Sequence, residues 1–113
     1  MKPASATGPD LFTPAFNGMN EKLLQYIWQF QYFNLAALKT DSGESVEIIS
    51  PGRLNTNQGP DFIHAQIRVD GTLLAGSIEL HIKTSSWKEH GHQADPNFKN
   101  VILHVVFEND LKP

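Results

Sequence analysis

The sequence predicts an α/β domain in which an N-terminal helix packs on a mixed, mostly antiparallel sheet. Three observations predict it. Apolar residues recur at helical spacing from Leu23 to Phe33, apolar and polar residues alternate through most of Phe62 to Lys83, and a nearly continuous apolar run covers Val101 to Phe107. A spacing of three to four marks one face of a helix, and strict alternation marks a strand, so the chain switches from one habit to the other.

The elements follow in order. Residues 1–18 hold three of the seven prolines and no periodic pattern, and are expected to form a flexible extension. Residues 19–113 are expected to form a single domain. Asn20 is placed to cap a helix, with Glu21 in the first turn where its charge suits the helix dipole. Leu23, Leu24, Ile27, Trp28, Phe30 and Phe33 carry that helix to about Leu38, and the turn residues Thr40-Asp41-Ser42-Gly43 end it. Val46 to Ile49 reads as a short strand stopped by Pro51-Gly52, and a polar loop from Arg53 to Pro60 leads to Asp61. The Phe62–Val69 strand and the one from about Thr72 to Lys83 flank Asp70-Gly71, a strong hairpin signal, so they pair antiparallel. Residues 84–100 read as a loop or broken helix. Val101–Phe107 reads as a strand buried on both faces.

Composition sets the function classes. A chain of 113 residues supports one small core. The lack of cysteine excludes disulfides, thiolate zinc sites and a cysteine nucleophile. A net charge of −3 argues against a generally basic nucleic-acid surface, and no apolar run is long enough to span a bilayer. Prolines and Asp10 interrupt any signal-peptide core, so a cytoplasmic location without membrane attachment is the expectation.

The candidate chemistry gathers on one strand. Ser77, Glu79, His81 and Lys83 share a parity opposite Leu74, Gly76, Ile78, Leu80 and Ile82, so they line one surface at intervals of about 7 Å. A carboxylate, an imidazole and an ammonium in a row, with Asp61 entering from a nearby turn, can hold a hard cation and a proton shuttle together. In this reading Asp61 and Glu79 bind Mg²⁺ or Mn²⁺, and His81 or Lys83 moves a proton or steadies a phosphate. The bland alternatives are a turn-forming Asp61 and an ordinary solvated strand face. His90-Gly91-His92, followed by Asp95, could instead belong to a Zn²⁺ site with His81 and His104, although a hydrogen-bonded core histidine is the simpler account of His104.

Two resemblances attach to these residues. The segments Asn20–Phe30, Asn55–Phe62, Glu79-Leu80-His81, Ser86-Trp87 through His92 to Asp95, and Val101–Val106 resemble the N-terminal part of an uncharacterised bacterial family known only as a domain of unknown function. The likeness covers roughly four fifths of the chain. It implies that similar proteins begin at the residue matching Met19 and run several times longer, so that the chain resembles a fragment. The element order and the Pro60-Asp61 and Glu79 motifs also resemble the PD-(D/E)XK nuclease core, of restriction-endonuclease-like architecture. That likeness implies a metal-dependent phosphodiesterase or nuclease, intact or degenerate, with nucleic acid as substrate and Glu21 as a further ligand. His81 stands where that family has its lysine, and Lys83 lies two residues further along the same face. Two other functions stay open. One is a non-catalytic module contacting a partner, the remainder of a longer chain or a second copy; the other is a zinc hydrolase using the histidines.

Overall fold

The computed structural model describes residues 4–7, 11, 19–83 and 99–108. Among these residues one α-helix, α1 (Glu21–Gln29), packs on a curled sheet of β1 (Ala4–Thr7), β2 (Val46–Ser50), β3 (Arg53–Leu54), β4 (Phe62–Val69), β5 (Thr72–Lys83) and β6 (Val101–Glu108). The spatial order is β1-β6-β5-β4-β2, with β3 on the free part of β4. β4 pairs antiparallel with β2, β3 and β5, whereas β6 runs parallel to β5 and β1. The fold is therefore mixed α/β, one helix on a mostly antiparallel sheet. The restriction-endonuclease-like core is not confirmed, and the loop or broken helix expected over 84–98 lies outside the described residues.

Helix α1 begins as the sequence predicts. The Asn20 side chain accepts a hydrogen bond from the Leu23 N–H at 2.8 Å, which satisfies one of the free donors of the first turn. It ends nine residues before the expected Leu38, and the last turn shows why. Gln31 adopts a left-handed φ of +56°. The Tyr32 N–H then reaches the Ile27 carbonyl at 2.9 Å, and the Gln31 N–H reaches the Trp28 carbonyl at 3.1 Å. These two bonds form a Schellman cap, usually built on glycine. A glutamine in that place leaves no mark in the sequence. Beyond the cap a short 3₁₀ turn, Leu35–Ala37, completes the connection.

Leu24, Ile27 and Trp28 form the buried side of α1 and pack with Leu11 and Phe33 against Leu80 of β5 and Val105 of β6. The Trp28 and Phe33 rings stack at 5.4 Å, and the Trp28 indole N–H donates to the Pro51 carbonyl at 3.0 Å. The polar end of the tryptophan is thereby satisfied inside an apolar cluster.

The N-terminal stretch departs from expectation at β1. Ala4–Thr7 were included in a flexible extension, yet they pair in parallel with Leu103–Val106, and Ala6 and Leu11 are buried. Four small or polar residues carry too short a pattern to be read as a strand. The exposed edge of β6 is what recruits them.

The hairpin matches its signal. Asp70 and Gly71 both take positive φ, 49° and 83°, as a tight two-residue turn between twisted strands requires. At the far end of β4 the alternation breaks. His64 has a φ of +61°, and the register with β5 slips between Phe62 and Ala65. This β-bulge places Phe62 on the buried side with Ala65, Ile67 and Val69, a side that strict two-residue alternation would deny it.

Candidate functional site

The bulge decides what faces Glu79. With Phe62 opposite Ile78, the next residue outward, Asp61, falls opposite Glu79. Had the register of Ala65 with Gly76 continued unbroken, Asp61 would stand opposite Leu80. The two carboxyl groups consequently meet, and Glu79 hydrogen-bonds through its side chain to Asp61.

Asp61 is held from two sides. Its Oδ1 accepts from the Gln25 side-chain amide of α1 at 2.8 Å, and its Oδ2 accepts from the backbone N–H of Leu80 at 2.9 Å. Asn55 closes the loop that delivers it. The Asn55 N–H donates to the Asp61 carbonyl at 2.8 Å, and the Asn55 side chain donates to the Pro60 carbonyl at 2.9 Å. Helix, loop and strand thus converge on one carboxylate.

Glu79 is 4% exposed. Burial pushes its carboxyl up to about 10, aided by the hydrogen bond to Asp61 and by the Asp61 charge, while the Leu80 N–H pulls the other way. Glu21, at the exposed start of α1, adds a smaller repulsion. A carboxyl in this state keeps its proton at neutral pH and donates it to its neighbour.

The expected polar row is mostly not a solvated surface. Ser77, Glu79 and His81 are all buried, and of the four only Lys83, at the end of β5, is exposed. The physical reason is position: β5 lies between β4 and β6 in the middle of the sheet, and its residues 77–81 are covered on both faces. The His81 ring meets His104 of β6 edge to face, with centroids 4.8 Å apart, and parallel pairing sets His104 level with Glu79. Glu79, His81 and His104 therefore form one buried polar patch. His90 and His92 lie outside the described residues. Among the described residues, no three or more His, Asp or Glu side chains converge where they could hold a metal ion.

Two features escaped the sequence reading. One is Gln25, which lies one turn after Glu21 and so points to the same side of α1. The second is an open groove of about 620 Å³ that passes Pro60 and Ser77, the neighbours of the carboxyl pair, and is rimmed by amide side chains. The run Asn55-Thr56-Asn57-Gln58 was its only trace in the sequence.

Fold and site together define a small α/β domain in which a half-buried Asp61 meets a buried Glu79, with a polar groove lined by their chain neighbours Pro60 and Ser77. The chain belongs to a family of proteins of unknown function, DUF2851, whose pattern matches residues 21–112. No curated protein and no solved structure matches it, and nothing in these comparisons supports the PD-(D/E)XK resemblance. No helix among the described residues is long and apolar enough to cross a membrane.

Proposed function

We propose that this domain is a divalent-cation-dependent phosphodiesterase acting on nucleic acid, with Asp61 and Glu79 as the protein ligands of Mg²⁺ or Mn²⁺. The observation that carries the reading is the meeting of Asp61 and Glu79 at the β4 bulge, with Asp61 already oriented by Gln25 and the Leu80 N–H. A doubly charged cation placed between the two carboxyl groups would displace the Glu79 proton and replace repulsion with attraction. Magnesium needs only one or two carboxylates, because water and substrate phosphate supply its remaining oxygens. The bound ion would lower the pKa of a water and offset charge on the phosphate.

The surrounding residues have matching parts. Gln25 and the Leu80 N–H orient Asp61, leaving little freedom in the carboxylate before a cation arrives. Lys83, exposed at the end of β5, is available to a phosphate oxygen as a point charge, and His81 lies one step along the same strand face from Glu79.

Calorimetric titration with Mg²⁺ and Mn²⁺ tests the reading, alongside cleavage of single- and double-stranded DNA and RNA. Binding by the wild type with proton release, lost in Asp61→Asn and in Glu79→Gln together with any cleavage, is the expected result. Absence of cation binding at millimolar concentration overturns it. The site is then a structural carboxyl pair in a binding module.

A further inference from the structure

The groove beside the carboxyl pair has a chemistry of its own. Of the side chains along it, Asn57, Gln58, Gln66 and Asn100 are carboxamides, and all four are exposed. Asn55 is different. Its Oδ1 accepts from the Asn57 N–H at 3.1 Å, and its Nδ2 donates to the Gln58 and Pro60 carbonyls at 3.3 and 2.9 Å. It holds the rim in shape and leaves the other four amides directed to solvent or a ligand. Among the described lining residues there is no carboxylate, lysine or arginine. Exposed His64 is the one titratable side chain among those lining residues, so the site is built mainly of neutral groups. It selects a neutral surface that offers hydrogen-bond donors and acceptors side by side, which a carboxamide matches with its own adjacent donor and acceptor.

We propose that this groove receives the unpaired bases of a single-stranded nucleic acid, read by Asn57, Gln58, Gln66 and Asn100. Base edges carry the adjacent donor and acceptor pattern that Asn and Gln recognise, and unpairing opens their Watson–Crick edges to side chains as well. The floor suits a flat ring, since Ala75 and Gly76 of β5 project little above the backbone. Gly76 admits no side chain, since a Cβ there would come within 2.4 Å of the Asn100 carbonyl. The groove volume of about 620 Å³ falls within the usual range for ligand sites of roughly 300–1,000 Å³. Ser77, among the residues lining the groove, lies one step along the strand face from Glu79. The proposal rests on the phosphodiesterase reading for the substrate class, while base binding itself needs no cation.

Fluorescence anisotropy with labelled single-stranded homopolymers of each base, measured on the full chain without divalent ions, separates the two. The wild type is expected to bind with a preference among bases. The double variant Asn57→Ala/Gln66→Ala should lose roughly tenfold in affinity and most of that preference, with its melting temperature unchanged. Base binding without cation binding would sustain the groove and overturn only the phosphodiesterase reading. The groove proposal is overturned if no oligonucleotide binds, if duplex binds as well as single strand, if a neutral oligosaccharide binds in its place, or if the double variant binds unchanged.

Discussion

Replacing Glu79 with glutamine removes a titrating group from the one place where the fold opposes its ionisation. In the native state the carboxyl titrates near 10, against 4.5 for the same group in the unfolded chain. Below 4.5 both states hold the proton and the group has no effect on stability. Between 4.5 and 10 the unfolded chain releases a proton that the native protein keeps, so stability falls as pH rises. Each unit costs about 1.4 kcal/mol, so by pH 7 the accumulated loss reaches up to about 3 kcal/mol. Glutamine is neutral throughout and can still donate to Asp61, so the variant avoids that loss. Thermal melts of both proteins from pH 4.5 to 9 give the difference directly, and titrations common to both cancel. The variant should melt with the wild type at the acid end and roughly 10 °C above it at pH 7, at about 4 °C per kcal/mol for a domain of this size. A difference that does not grow with pH, or a variant less stable at pH 7, would refute the placement of the proton on Glu79.

Two other perturbations test the fold around the site. Gln31→Gly should raise stability by about 0.5–1 kcal/mol in chemical denaturation, because glycine takes the left-handed cap without the Cβ penalty; a loss would mean that the cap is not formed. Deleting residues 1–18 should lower the melting temperature by several degrees, because it strips β1 from the edge of β6 and removes Leu11, whose burial alone is worth roughly 1.5–3 kcal/mol; an unchanged melt would return the whole stretch to the status of an appendage.

Local chemistry made much of this protein legible in its sequence. The Asn20 cap, the helix face of Leu24, Ile27 and Trp28, and the Asp70-Gly71 turn depend on neighbours within a few residues, and the structure repeats them. The strand span from Thr72 to Lys83 and the apolar β6 were equally plain, because alternation and continuous apolarity are properties of the segment itself. What could not be read was set by contacts distant in sequence. β1 exists because β6 offers an edge, and α1 ends at a cap that a glutamine adopts without the usual glycine. The solvated face of β5 became a buried one because the strand sits mid-sheet, a fact of strand order that no alternation pattern contains.

Asp61 and Glu79 show the division most clearly. The residues themselves, a carboxylate after Gly-Pro and a carboxylate inside an apolar strand, were conspicuous from the sequence alone. Their meeting was not, because it depends on one extra residue at His64 that slips the pairing of β4 with β5 by a single step. Side chains alternate across a strand, so one step decides whether Asp61 faces a leucine or a glutamate. The sequence by itself determined which carboxyl groups were there to be used, since those are properties of single residues. Only the tertiary structure, through that bulge and the burial around β5, decided that they meet.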